Sequence, residues 1–311
     1  MSSVRPRILI VVAFLTLLAA NPSRTAAMDE DSDYLVSTGW LSERLSQPNL
    51  VILHVAKDDA GYLEGHIPGA RLAEWGDFVV TKDGVPNELP EPATLETWIR
   101  GLGITDSSQI VLYDEEKGMS AARAFFTLDS IGLGDQSALL DGQLKTWKAE
   151  GRPLSTEPAS VEPSKWKIEK GAGQHIARQE EILSILSHSD TKGNPKLLDA
   201  RSKDYFEGTK KSDAAARAGR LPEAIQMDWD EALREGDLPL FKSPSDLKQL
   251  LGEKGVGEKD PVITYCNTGR SASHLYFTLR HLGYDTRLYD GSMSEWTMDE
   301  THPVEVGSAT E

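Results

Sequence analysis

The chain has 311 residues, enough for two domains of ordinary size, and its 39% hydrophobic and 26% charged residues exclude a disordered polyelectrolyte. A formal net charge of −16 excludes reliance on phosphate-backbone contacts, so no nucleic-acid partner is expected. Beyond that, acidity reports mainly on solubility.

The N-terminus comes first in chain order. Arg5 and Arg7 precede an apolar run over 8–20, and the small residues Thr25, Ala26 and Ala27 follow. This is the order of a secretory signal peptide, and a 13-residue run falls short of the about 20 residues that span a bilayer. The expectation is a signal over 1–27, cleaved near Ala27, and a periplasmic or secreted mature protein without stable membrane insertion. An uncleaved anchor is the alternative. Cys266 is the only cysteine, so no internal disulfide is possible. A single thiol in an oxidising compartment is a hazard, which favours a working thiol over a buried filler.

The remainder repeats itself. "GHIPGARLAEW" at 65–75 aligns with "GRLPEAIQMDW" at 219–229, "IVLYD" at 110–114 with "VITYC" at 262–266, and "LLDGQLKTW" ending at Trp147 with "LYDGSMSEW" ending at Trp296. Three blocks in one order mark a tandem duplication. Each half begins with a short apolar strand, "LVILHV" or "KLLDA", and continues with a second, "QIVLYD" or "PVITYC". A helix follows in each and ends on Gly132 or Gly283, then a further strand, "SALLDG" or "TRLYDG". This alternation predicts an α/β fold, two tandem domains each built on a mainly parallel sheet with helices on both faces. The predicted boundaries are 28–150 and 176–311, with the Pro-, Ser-, Glu- and Lys-rich segment 151–175 as a linker draped over the surface. The matched tryptophans of the two halves read as core packing.

Ligands of such sheets bind at the carboxyl ends of the strands, where Cys266 sits between strand and helix. The loop "CNTGRS" therefore aims several backbone N–H groups and a helix N-terminus at one place, which favours a thiolate. Gly269 permits the turn, Arg270 offers a full charge, and Asn267, Thr268 and Ser271 complete the expected cradle. The first half has Asp114 at the position of Cys266, followed by Glu115 and Glu116. A carboxylate cannot replace a thiolate nucleophile and repels an anion, so Asp114 is expected to be structural, as a helix cap. Asp199 and Arg201, in "LLDAR", end a strand on the same edge and suit either a site or an ordinary ion pair. His66 fits a turn, and His274 lies too far along its helix for chemistry.

"GHIPGA", "LLDAR", "CNTGRS" and the two "DG…W" segments resemble the tandem-domain rhodaneses, the thiosulfate and 3-mercaptopyruvate sulfurtransferases, over nearly all of 33–297. The resemblance implies a catalytic C-terminal domain, an inactive N-terminal one, and no metal or organic cofactor. It also implies that Cys266 takes a sulfane sulfur, becomes a persulfide, and passes the sulfur to cyanide or a thiol. The loop matches neither C-R-K-G-V-T nor C-G-S-G-V-T of the two donor classes. Tyr205 stands where mercaptopyruvate enzymes have an arginine, which favours thiosulfate or another small sulfur-containing anion. Two rivals remain. A phosphatase-type loop needs Cys and Arg separated by five residues, whereas three separate Cys266 from Arg270. A non-catalytic persulfide carrier would need the same cradle as an enzyme.

Overall fold

The computed structural model describes residues 34–168, 173–188 and 193–308; the expected signal peptide lies outside them. The first half contributes strands β1 (Leu35–Val36), β2 (Leu50–Ala56), β3 (Arg71–Glu74), β4 (Val80–Lys82), β5 (Val85–Glu88), β6 (Gln109–Tyr113) and β7 (Ser137–Leu140). The second contributes β8 (Ile176–Ala177), β9 (Lys196–Asp199), β10 (Ile225–Gln226), β11 (Val262–Tyr265) and β12 (Thr286–Tyr289). One five-stranded sheet runs β1-β7-β6-β2-β3 and the other β8-β12-β11-β9-β10, with every neighbouring pair parallel. Strand for strand these are the same topology, as the duplicated sequence requires. Register agrees too: Tyr113 pairs with His54 in the first sheet, and Tyr265 with Asp199 in the second.

The central strands are buried on both faces, which accounts for their unbroken apolar runs. Each ends on a tyrosine whose hydroxyl anchors the preceding repeat block. Tyr113 Oη accepts the Ile67 N–H at 3.0 Å, and Tyr265 Oη accepts that of Leu221 at 3.2 Å. His66 belongs to this turn: Nδ1 lies 2.7 Å from the Tyr62 carbonyl and Nε2 3.2 Å from that of Glu157. Its place is structural.

The segment 151–168 has no helix or strand but is held closely to the first half. Arg100 Nε donates to the Trp166 carbonyl at 2.7 Å, Ser164 N donates to that of Arg100 at 2.9 Å, and the Trp166 ring is buried. The first half also has a two-stranded hairpin; at the matching place in the second, Leu233 and Phe241 form an isolated antiparallel bridge. β4 and β5 pair antiparallel around Asp83 and Gly84, both at positive φ, as a tight Asp-Gly turn requires.

The halves meet through the two helices that follow the central strands, Met119–Ser130 and Arg270–His281. Phe125 packs edge-on against Phe277 at 5.0 Å, and Phe126 against Tyr276 at 5.1 Å, all four rings fully buried. Each such burial stabilises by about 1.5–3 kcal/mol. One continuous apolar core therefore runs through both halves.

His274 lies in this contact, fully buried, stacked on Phe241 at 5.0 Å and edge-on to Trp229 at 5.0 Å. Burial lowers its pKa to about 3, opposed only in part by the nearby Lys117 backbone carbonyl, an acceptor that favours the protonated ring. Because the folded value lies below the unfolded one, the unfolded chain takes the proton first. Stability is complete above pH 6.5 and is lost as the pH falls towards 3. His274→Phe should therefore gain on the wild type by about 1.4 kcal/mol per pH unit below 6.5. Urea unfolding of both proteins at pH 7 and pH 5 checks this, and parallel shifts would refute it.

Candidate active site

Cys266 follows β11 directly and is 2% exposed. Gly269 caps the 12-residue helix Arg270–His281 at φ 76°, a left-handed conformation. A Cβ there would lie 2.7 Å from Asp290 Oδ1, so both conformation and contact require glycine. The loop is fastened to the segment after β12. Ser292 Oγ accepts the N–H groups of Cys266 and Gly269, each at 3.1 Å, and donates to the Tyr289 carbonyl at 3.0 Å. Met293 N donates to the Cys266 carbonyl at 3.1 Å, and Ser294 N to that of Asn267 at 3.0 Å. Ser292 holds a positive φ of 51°, a strain that this double acceptor role explains.

The first half shows what such a loop holds. There Gln143, at φ 56°, replaces Ser292: its Oε1 accepts the Asp114 N–H at 2.9 Å and its Nε2 donates to the Leu140 carbonyl at 2.7 Å. The loop from Asp114 to the capping Gly118 is one residue longer than that from Cys266 to Gly269. The Asp114 carboxylate fills it. Oδ1 accepts from Glu116 N and Gly118 N, and Oδ2 from Ser120 N, each at 2.9 Å; Ala121 N adds a bond to Oδ2 at 3.1 Å. Burial pushes the Asp114 pKa up, and these four N–H groups oppose the rise. Asp114 is thus a cap, and this half's anion cradle is closed by its own side chain. In the second half Ser271 and Ala272 stand at the repeat positions of Ser120 and Ala121. Among the described residues, neither backbone N–H has a protein acceptor. A cradle of this build with a thiol at its floor can hold a sulfur anion.

Asp199 and Arg201 form a buried fork: Arg201 Nη2 lies 2.6 Å from Oδ2 and Nε 2.8 Å from Oδ1, while Nη1 donates to Asn267 Oδ1 at 3.2 Å. Burial opposes the Arg201 charge, but Asp199, with Tyr265 and Cys266 beyond it, more than offsets this and raises its pKa. A fixed cation thus touches the cysteine loop. Thr268 Oγ1 accepts from Asn87 Nδ2, across the junction of the halves, at 3.0 Å.

Arg270 departs from expectation. Its Nη2 donates to Ser120 Oγ at 3.0 Å and lies 3.5 Å from Glu116, while its guanidinium sits 5.3 Å over the Trp75 ring. The reason is geometric: as the first residue of the helix, it projects towards the first half, where a carboxylate and an aromatic face meet it. Lys117 reaches Trp229 in the mirrored contact at 5.8 Å. Trp75 and Trp229 are therefore half-buried cation platforms at the core edge, whereas Trp147 and Trp296 are fully buried core residues. An exposed pair of this kind contributes under about 1 kcal/mol. Arg270→Gln should then change the thiosulfate KM less than about threefold, within that limit. A tenfold rise in steady-state assays would put the charge back into the cradle.

A buried thiol at the carboxyl edge of a parallel sheet, before a helix N-terminus and beside a closed sister loop, defines an α/β protein of duplicated design with one thiol-bearing loop. The rhodanese-like domain model matches residues 37–150 and 183–299, and the chain belongs to that family as a tandem rhodanese sulfurtransferase. It is 32% identical over 281 residues to the "Putative thiosulfate sulfurtransferase" of Saccharopolyspora erythraea, covering 88% of this chain and 96% of the relative. It is 33% identical over 291 residues to the "Probable 3-mercaptopyruvate sulfurtransferase" of Pseudomonas aeruginosa, covering 89% and 99%. The crystal structure of YnjE superposes with a TM-score of 0.76 at 23% identity, covering 89% of this chain and 69% of that one, and shares the fold.

Proposed function

We propose that the protein is an exported thiosulfate sulfurtransferase working through a Cys266 persulfide. The Cys266 thiolate attacks the sulfane sulfur of thiosulfate; the S–S bond of the donor breaks, sulfite leaves with the electron pair, and Cys266 carries S–S⁻. Cyanide or a thiolate then attacks the outer sulfur, and thiocyanate or a persulfide departs while the thiolate is restored. One hard transfer becomes two easier ones. The observation that carries this reading is the Asp114 carboxylate bound by four N–H groups in the sister loop. The helix N-terminus behind Cys266 offers the same kind of donors to a persulfide and to the sulfite charge.

A thiol only 2% exposed suits a slender donor. Among such donors, 3-mercaptopyruvate is the second reading, supported by the likeness to the Pseudomonas aeruginosa protein. Against it stands Tyr205, whose ring faces Lys210 Nζ at 4.9 Å instead of supplying a guanidinium for a carboxylate.

The mature protein, assayed with thiosulfate and cyanide and separately with 3-mercaptopyruvate and a thiol, decides between them. Many turnovers and a higher kcat/KM with thiosulfate are expected. A higher kcat/KM with mercaptopyruvate would reassign the donor, and loading of one sulfur without turnover would make the protein a carrier. Export is tested separately, by sequencing the N-terminus of protein recovered outside the cytoplasm; a start near Met28 is expected.

A further inference from the structure

Some of the contacts between the halves are related by the repeat. Asp141 accepts the Phe241 N–H at 2.9 Å, and its repeat partner Asp290 accepts the Leu89 N–H at 3.1 Å. A backbone N–H on an aspartate thus serves both sides. Among the described residues, Asp290 is also hydrogen-bonded by a guanidinium, whereas Asp141 has Arg234 only as a nearby charge. Arg123, fully buried on the helix Met119–Ser130, grips both carboxylate oxygens, Nη2 lying 3.1 Å from Oδ2, and donates to the Asn87 carbonyl as well. The residue at the repeat position of Arg123, counted from the capping glycines, is His274, which stacks on Phe241 instead.

A buried ion pair gains little stability over an apolar contact, because both charges lose water. The His274 side shows that the interface forms without one. What distinguishes the Arg123 side is what lies behind it. Asp290 leads through Gly291 to Ser292, whose hydroxyl holds the N–H groups of Cys266 and Gly269. Gly269 rests on the pair itself: a Cβ there would lie 2.9 Å from Arg123 Nη1. Asn87, fixed through its carbonyl by Arg123, holds Thr268 from the other side at 3.0 Å. Two short routes lead from one guanidinium to the cysteine loop.

We propose that Arg123, from the half that lacks a thiol, is a positioning residue for sulfur transfer. It fixes Asp290 and Asn87, and through them the N–H groups around Cys266. The proposal rests on the reading of Cys266 as the sulfur-bearing nucleophile. Transfer requires the cradle donors to be in place before charge develops, and small misplacement costs rate more than binding.

Arg123→Lys keeps a cation beside Asp290 but loses the planar fork. Its kcat should fall about tenfold or more, with the thiosulfate KM changing less than about threefold. Iodoacetamide should alkylate its Cys266 with a midpoint moved to higher pH. The double variant Arg123→Met/Asp290→Asn removes both charges; it should melt within a few degrees of the wild type and show the same two effects. Should either variant fail to melt cooperatively, Asn87→Ala, which leaves the ion pair whole, carries the test with a kcat loss of about threefold or more. A folded variant with wild-type kcat and an unmoved alkylation profile overturns the proposal and leaves the pair as interface packing. The alkylation profile needs no sulfur donor. If the wild type does not turn over, the sulfurtransfer reading fails by itself, and the profile still reports whether Arg123 positions the loop.

Discussion

Cys266→Ala should lower sulfur transfer by at least about a thousandfold, since no other side chain can carry the covalent sulfur. Cys266 is the only cysteine in the chain, so no neighbouring thiol can substitute. Its fold should survive. The backbone bonds that shape the loop, from Cys266 N and Gly269 N to Ser292 Oγ and from Met293 N to the Cys266 carbonyl, do not involve the sulfur. Removal of one buried sulfur costs about 1 kcal/mol, the ordinary cost of a small core deletion. Mass spectrometry of the wild type after thiosulfate should show a gain of about 32 Da, the added sulfur of the covalent intermediate, which the variant lacks. An unchanged wild-type mass together with full activity of the variant would sink the mechanism.

The duplication makes the architecture legible in the sequence alone. Apolar strand runs report burial on two faces, and matched blocks at "IVLYD" and "VITYC" require matched strands, as the identical sheet orders bear out. The place of Cys266 was equally legible, because a strand end followed by a glycine and a helix has few geometries. Arg270 was not. Sequence shows that a charge is near in the chain, but at the first helical position the side chain turns to Glu116 and Ser120, more than a hundred residues away. The cation that touches the loop is Arg201, which local spacing could place only on the correct edge of the sheet. Ser292 and Arg123 escaped for the same reason: a serine after "DG" and an arginine inside a helix look ordinary until the halves are docked. The Asp83-Gly84 pair is a readable sign of a tight hairpin turn, and with it of the strand that carries Asn87.

Asp114→Ala should give the opposite result to Cys266→Ala: a marked loss of stability with turnover kept within a few-fold. The Asp114 carboxylate is 2% exposed and satisfies four backbone N–H groups, two in the loop and two in the first turn of the helix Met119–Ser130. A single helix cap is worth about 0.5–2 kcal/mol, and each buried donor left without an acceptor costs about 1–3 kcal/mol. Water entering the vacated space would recover part of this, and the cost of burying the charge, seen in the raised pKa of Asp114, is also relieved. A net loss of about 2–4 kcal/mol in urea unfolding at pH 7 follows from those opposing contributions. Asp114→Asn, which retains one carbonyl acceptor, should fall between the variant and the wild type. The chemistry should be spared because the loop that holds Cys266 is fastened by Ser292, Met293 and Ser294, none of which Asp114 touches. If folded Asp114→Ala lost as much turnover as Cys266→Ala, the closed cradle of the first half would have to be read as part of the site.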